Sequence, residues 1–290
     1  MSKFSLFFGA ATALCTPFEQ NGEIDLESYR KLLRFQLDAG IDALLVCGTT
    51  GEAPTLSDEE ADTLLAEALR TSAKSIPVIM GIGSNCTEHA VSNAKRAEKN
   101  GADALLAVTP YYNKCTPDGL LRHYREIAAA TSLPIIPYTV PSRTGMTIPP
   151  SVWGELFAIP NIIGIKDATG DIAYGAQFLS TFGSEICLWS GNDNATLPLL
   201  SLGSDGVISV LSNIKPREVS TLCHAFAEGK APEAQALANA LLPLSDALFF
   251  EVNPIPVKAA LSLMGICKPY CRLPLTTASE ITFNRLISLC

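Results

Sequence analysis

Short apolar segments alternate eight times with segments of helical period along this 290-residue chain. The apolar segments, such as IPVIMG and DALLAV, do not show the polar and apolar alternation of a half-exposed strand. Strands that are apolar on both faces are typical of a parallel sheet covered by helices. Eight successive strand-then-helix units therefore predict an α/β fold, namely a closed (β/α)8 TIM barrel.

An open, doubly wound sheet is the competing arrangement for alternating strands and helices. We disfavour it because no G-x-G-x-x-G motif follows the first strand, where such sheets bind dinucleotides. The alternation stops near residue 230, and the rest of the chain has only helical patterns. We therefore expect a catalytic barrel at 1–229 and a small C-terminal helical extension at 230–290.

The charge pattern limits the classes of partner. The net charge is -8, and Lys and Arg never occur in runs longer than two, whereas nucleic-acid and membrane-surface sites need basic patches. No uncharged run is long enough to span a bilayer. The N-terminal MSKFSLFFGAATALC has features of a secretory signal, but we favour the first core strand because cleavage would remove one unit of the repeat. The sequence thus predicts no nucleic-acid or membrane partner and a cytoplasmic location.

The cysteines and histidines do not form a metal-binding pattern. The nine cysteines are irregularly spaced, and Cys267 and Cys271 make one C-x₃-C pair without a second pair to complete a zinc site. His89, His123 and His224 fall on separate predicted helices. We expect no metal, and no histidine that acts as a catalytic base.

Lys166 ends the sixth apolar segment, NIIGIKD. A free lysine has a pKa of about 10.4, and burial among isoleucines would lower this pKa by disfavouring the charged form. The resulting neutral amine can attack a ketone and form a Schiff base. An ion pair with a nearby acid such as Asp167 is the alternative, and the lysine alone does not distinguish the two.

Three hydroxyl side chains are predicted at other strand ends, where the functional groups of a (β/α)8 barrel collect. Thr49 is predicted to end the second strand, Tyr112 the fourth and Tyr138 the fifth. A hydroxyl both donates and accepts, so a chain of hydroxyls can move the protons of Schiff-base formation. Ordinary loop packing explains the Tyr111-Tyr112 pair equally well when it is taken alone.

Two further features suit a carboxylate ligand. The glycines of the GTTG turn at 48–51 allow backbone N–H groups to converge on an anion. Arg143 in VPSRTG can form a bidentate pair of hydrogen bonds with a carboxylate. An ordinary strand-to-helix turn and a surface arginine are the corresponding alternatives.

Four motifs in this order, GTTGEAPTLS, VTPYYNK, YTVPSRTG and GIKDATGD, resemble the pyruvate-dependent class I aldolase superfamily. The likeness covers nearly the whole chain. It implies condensation of pyruvate with L-aspartate 4-semialdehyde, without a metal or organic cofactor, since the covalent imine itself acts as the electron sink.

The resemblance implies a role for each matching residue of the proton chemistry. Lys166 corresponds to the Schiff-base lysine, and Tyr138 to the tyrosine that exchanges protons with the pyruvate adduct. Thr49 and Tyr112 correspond to the rest of the relay. In the superfamily this last tyrosine reaches in from a neighbouring subunit, which implies a dimer as the minimum active unit within a homotetramer.

The resemblance also implies substrate contacts. Thr50 corresponds to the residue that holds the pyruvate carboxylate, Ile208 to a backbone contact beside the adduct, and Arg143 to the residue that positions the second substrate. Sugar-acid aldolases such as N-acetylneuraminate lyases usually have an apolar residue in place of this arginine, so they are the less favoured alternative. A catalytically silent, ligand-sensing barrel would be expected to lose the lysine or a relay hydroxyl, and all four are present.

A possible effector site follows from the same resemblance. Asn85 and Tyr111 match positions that bind feedback lysine in regulated bacterial members. His89 stands in place of an acidic residue, however, and Asp58 and Ala61 replace histidines. An imidazole cannot substitute for a carboxylate as partner of an ammonium group, so we expect weak or absent inhibition by lysine.

Overall fold

Eight parallel strands close into a barrel in the computed structural model of the chain, which describes residues 6–289. Each strand pairs with the next one in sequence, and the eighth pairs with the first. The predicted (β/α)8 architecture is thus confirmed, and the open-sheet alternative is wrong. The strands are β1 (Gly9–Ala13), β2 (Ala43–Val46), β3 (Val78–Gly81), β4 (Ala104–Val108), β5 (Ile135–Thr139), β6 (Gly164–Asp167), β7 (Cys187–Ser190) and β8 (Gly206–Ser209).

Helices surround the barrel, and further helices come after its last strand in the sequence. Helix α2 begins at a reciprocal capping box, in which the Ser57 and Glu60 side chains each bond the other's backbone amide. The helices are α1 (Leu26–Asp38), α2 (Asp58–Ser72), α3 (Thr87–Lys99), α4 (Pro117–Ala129), α5 (Pro141–Thr144), α6 (Pro150–Leu156), α7 (Ile172–Phe182), α8 (Thr196–Ser201), α9 (Pro216–Ala227), α10 (Ala231–Ala247), α11 (Ile255–Leu263) and α12 (Glu280–Ile287).

The first strand is buried along its whole length, as the apolar pattern of GAATA predicts. The first five residues of the signal-like segment lie outside the described part of the chain. Between residues 6 and 289, no helix is both long and apolar enough to cross a membrane. At the other end, α10 packs against α9, and α11 packs against α12. The division into units at 1–229 and 230–290 stays a prediction.

Two buried clusters explain why the strands are apolar on both faces. One cluster lies between the sheet and the helices, and the other fills the barrel interior with side chains that include Leu45, Ile79 and Trp189. Side chains alternate between these two clusters along each strand. The inner cluster forms an apolar floor beneath the mouth of the barrel, where the strands end.

The strand register places the two principal candidate residues side by side. Tyr138 of β5 is the register partner of Lys166 of β6, and Lys166 is in turn the partner of Trp189 of β7. Register partners in a parallel sheet point to the same face, which here is the barrel interior. The fold therefore brings the phenol and the amine together before any loop is considered.

Candidate active site

Lys166 is buried at the inner mouth of the barrel, with 5% of its surface exposed. Its Nζ lies 4.3 Å from the centroid of the Tyr138 ring. Burial lowers the pKa of Lys166 from 10.5 to about 7; the Asp193 carboxylate acts in the opposite direction, and the Arg143 guanidinium adds to the lowering. A substantial fraction of this amine is therefore neutral near pH 7, as a nucleophile requires.

Asp167, the acid named in the ion-pair alternative, does not pair with Lys166. Consecutive residues of a strand point to opposite faces, and Asp167 points away from the barrel interior toward α7. One of its carboxylate oxygens accepts a hydrogen bond from the Thr169 amide at 2.9 Å. This leaves the amine facing the Tyr138 ring.

The Tyr138 phenol contacts the next member of the predicted relay. The Thr49 side chain lies beside its hydroxyl and favours the ionised phenol. Burial raises the pKa of Tyr138 to about 12, against the opposing effects of Arg143 and of the Thr49 side chain. Thr49 itself lies in the turn after β2, not at the strand end as predicted, because the strand already ends at Val46.

Tyr112 does not join this relay within its own chain. The fourth strand ends at Val108, so the prediction that Tyr112 ends it is wrong. Tyr112 lies in the following loop with a φ of 71° and with 93% of its surface exposed. A left-handed backbone is uncommon for a tyrosine, and it marks a loop conformation that the surrounding chain must impose.

Thr50 and Arg143 are linked through a residue that the sequence analysis did not identify. Thr50 is buried, and its Oγ1 accepts a hydrogen bond from Asn253 Nδ2 at 3.0 Å. Arg143 Nη2 donates to the Asn253 carbonyl at 3.3 Å. Asn253 Oδ1 is buried without a hydrogen-bond partner among residues 6–289. No local pattern pointed to Asn253, because its partner precedes it by 203 residues.

The loop after β7 supplies further contacts to Lys166. A Cβ at Gly191 would lie 3.1 Å from Lys166 Cε, so the absence of a side chain there lets the backbone approach the lysine. The Asp193 carboxylate is fixed by the Ser209 hydroxyl and by the amides of Val210 and Leu211 at 3.1 and 3.0 Å. This fixed carboxylate is a preorganised counter-charge for a cation formed at Lys166.

The remaining predicted residues lie around this centre. Ile208 of β8 is fully buried, and its side chain belongs to the inner cluster. Tyr111 and His89 line the cavity described next, while the Asn85 carbonyl accepts a hydrogen bond from Asn113 at 2.9 Å.

A cavity of about 660 Å³ opens at the mouth of the barrel beside Tyr138. Its walls come from the loops after β2, β3, β4 and β5 and from α2 and α3, so residues of the predicted relay and of the predicted effector region share one space. Lys166 is not one of its lining residues, but its Nζ lies 4.3 Å from the ring of Tyr138, which is one of them. Its lining side chains include Thr49, Asp58, Ala61, His89, Tyr111, Tyr138 and Arg143.

The three histidines lie on α3, α4 and α9, as predicted. Within the described residues, no group of three or more His, Cys, Asp or Glu side chains could hold a metal ion. The chemistry available at the barrel mouth is that of a buried, partly neutral amine near the hydroxyls of Tyr138 and Thr49 and the guanidinium of Arg143. This combination suits imine chemistry on a keto acid.

Comparisons with known proteins point in the same direction. The sequence model of the Dihydrodipicolinate synthetase family matches residues 6–289. A 4-hydroxy-tetrahydrodipicolinate synthase from Thermotoga neapolitana is 48% identical over 285 residues, which covers 97% of each chain.

Solved structures agree with the sequence comparison. One, described as the first monomeric dihydrodipicolinate synthase variant, superposes with a TM-score of 0.96 at 45% identity and covers 98% of this chain and 96% of that one. The chloride-inhibited dihydrodipicolinate synthase from Acinetobacter baumannii, complexed with pyruvate, gives a TM-score of 0.95 at 41% identity over 97% of each chain.

Proposed function

Because the chain belongs to the dihydrodipicolinate synthetase family, we propose that it condenses pyruvate with L-aspartate 4-semialdehyde through an imine on Lys166. The product is 4-hydroxy-tetrahydrodipicolinate, and the reaction belongs to lysine biosynthesis by the diaminopimelate route. The enzyme is a lyase of the class I aldolase type. The observation that carries the proposal is the burial of the Lys166 amine beside the Tyr138 phenol, with a pKa of about 7.

The chemical sequence begins with the neutral amine. Lys166 Nζ attacks the keto carbon of pyruvate, the carbinolamine loses water, and a protonated imine remains. Loss of a proton from the pyruvate methyl group gives an enamine, whose carbon attacks the aldehyde. The amino group of the aldehyde substrate then attacks the imine carbon and displaces Lys166, which closes the ring and frees the enzyme. Tyr138 and Thr49 carry protons to and from these intermediates. The fixed Asp193 carboxylate stabilises the positive charge of the imine.

Two groups bind the substrate carboxylates in this proposal. Thr50 holds the carboxylate of pyruvate next to the adduct, and the Ile208 backbone lies beside it. Arg143, which lies at the exposed end of the cavity, holds the carboxylate of the aldehyde substrate. The Asn253 bridge fixes the two groups relative to one another.

The test is to offer purified enzyme pyruvate together with each candidate aldehyde. We expect consumption of L-aspartate 4-semialdehyde and not of N-acetylmannosamine. The reverse result would assign the chain to sugar-acid cleavage while leaving the imine chemistry intact. Failure of borohydride to trap pyruvate on Lys166 would contradict both the synthase and the sugar-acid aldolase assignments and would favour a ligand-sensing barrel.

The Arg143 assignment can be tested separately from the imine. In Arg143→Lys, the positive charge remains but the bidentate hydrogen bonding to the carboxylate is lost. We therefore expect the KM for L-aspartate 4-semialdehyde to rise about 10- to 100-fold. The KM for pyruvate should change less than threefold. Steady-state kinetics with each substrate varied in turn measures both values. An equal rise in both KM values would contradict a role confined to the second substrate.

We also propose that Tyr112 acts in the site of a neighbouring copy within a cytoplasmic homotetramer. Its exposure and its position away from its own relay support this role. Lys166→Met and Tyr112→Phe subunits should each be inactive or weak alone, and a mixture of them that exchanges subunits should regain activity. One site of each hybrid dimer then has both the Lys166 amine and the Tyr112 hydroxyl. Assay of the mixture against the separate variants measures this. No gain despite proven hybrid formation would place Tyr112 outside the partner's relay.

A further inference from the structure

Glu52 immediately follows the GTTG turn and has an uncommon backbone conformation, with a φ of 56°. Its side chain is buried and forms an ion pair with Lys258 of α11, whose side chain is 0% exposed. Lys258 follows Asn253 by five residues, and Glu52 follows Thr50 by two. The ion pair therefore joins the two segments that also meet through the Asn253–Thr50 hydrogen bond.

The remaining contacts of this pair come from the C-terminal segment and the first loop. Glu52 Oε2 accepts a hydrogen bond from the Arg272 amide at 2.9 Å, and Lys258 Nζ donates to the Tyr270 carbonyl at 2.8 Å. The Phe18 ring lies under Lys258, with its centroid 4.1 Å from Nζ. The pair is thus held on several sides, which fixes the position of both side chains.

Stability alone is a poor explanation for such an arrangement. Removing two charges from water is costly, and well-packed apolar residues of similar volume often stabilise a protein as much as a buried ion pair does or more. A buried ion pair does, however, specify one relative position of its two segments, because an unpaired charge in the interior is strongly disfavoured. Here the two segments that it fixes carry Thr50 and Asn253.

We propose that Glu52 and Lys258 are positioning residues for the pyruvate-carboxylate subsite. They fix the turn after β2 against the start of α11, so that the Thr50 hydroxyl and the Asn253 amide keep their hydrogen-bonded geometry. This inference rests on the proposed function, in which Thr50 holds the carboxylate of pyruvate. It assigns to α11 an indirect part in substrate binding, through the position of Thr50.

The experiment compares variants that break the pair with one that replaces it. Glu52→Gln keeps the side-chain shape but leaves Lys258 unpaired. The double variant Glu52→Leu with Lys258→Met removes both charges and should fold even if the single variant does not. Glu67→Gln is the matched control, since it weakens the Arg30–Glu67 ion pair between α1 and α2 away from the site.

The measurement is borohydride trapping of pyruvate on Lys166 as a function of pyruvate concentration. We expect the half-saturating pyruvate concentration to rise at least tenfold in Glu52→Gln and in the double variant, with the trapping rate at saturation within about threefold of wild type. Glu67→Gln should keep the wild-type value. Lys258→Arg retains the positive charge, so its half-saturating pyruvate concentration should rise less than that of Glu52→Gln.

The outcomes separate the inference from the function on which it rests. A wild-type half-saturation value in the folded double variant would overturn the positioning role while the proposed function stands. Absence of any trapped pyruvate in the wild-type enzyme would instead refute the proposed function, and the inference with it.

Discussion

The Lys166→Met variant is expected to fold normally and to lose catalytic activity by a factor on the order of 10⁴ or more. Methionine has a similar length and suits the apolar floor of the barrel, but it has no nitrogen to form the imine. Pyruvate consumption and the mass of the borohydride-treated protein measure the two consequences. Lys95→Met, at an exposed position on α3, is the control and should retain wild-type activity. Substantial turnover by Lys166→Met would remove the imine from the mechanism.

The same variant should change the pH dependence of stability. Because burial lowers the pKa of Lys166 from 10.5 to about 7, the unfolded chain binds more protons than the folded one between these pH values. The free energy of unfolding of the wild type should therefore rise with pH across this window. At pH 6, where both states are protonated, the destabilisation by Lys166 should be fully present, at about 4 to 5 kcal/mol.

Lys166→Met lacks this contribution, so it should be more stable than the wild type at pH 6, and the difference should shrink toward pH 10.5. Urea unfolding of both proteins at several pH values measures the effect. The pKa also predicts that pyruvate trapping by the wild type accelerates as the pH rises toward 7 and levels off above it. A difference in stability that did not change with pH would contradict the burial of a titrating amine.

The Tyr138→Phe variant is expected to lose activity by a factor on the order of 10² to 10³, the range that a positioned acid-base group contributes. The ring that lies beside Lys166 remains, while the hydroxyl beside Thr49 is removed. Pyruvate should still be trapped at saturation, but more slowly, because proton transfer and not nucleophilic attack is impaired. Single-turnover trapping and steady-state assays measure the two rates.

Tyr174→Phe provides the matched control for the tyrosine. This variant also removes a phenol hydroxyl, which in the wild type donates a hydrogen bond to the Ile148 carbonyl at 2.8 Å. Tyr174 lies on α7, outside the cavity. It should keep activity within about threefold of wild type. Equal losses in the two variants would indicate that general packing, and not proton transfer, explains the effect.

The barrel was predictable because its signal is local and repeated. Each strand is apolar on both faces, and eight repeats leave little choice of topology. Lys166 was predictable for a related reason, since a charged residue at the end of a buried strand is conspicuous. Once the strands are placed, the register brings Tyr138 beside it.

The rest of the site could not be predicted, because it depends on contacts between segments distant in sequence. Asn253 meets Thr50 only when the C-terminal helices close against the barrel, and nothing in the local pattern around either residue signals this contact. The exposed position of Tyr112 depends on the loop conformation after β4, which apolar periodicity does not specify. The same is true of Gly191, whose close approach to Lys166 is visible only in three dimensions.

The pairing of Tyr138 with Lys166 across β5 and β6 links activity to correct assembly of the barrel. If β6 slipped by one residue, the amine would face the helices and Asp167 would enter the interior. A chain with that error could look almost native in its helix content and still be unable to form the imine. In a refolding experiment, the amount of pyruvate trapped would therefore report the fraction of correctly assembled barrels. A spectroscopic measure of secondary structure would not distinguish these barrels from misassembled ones.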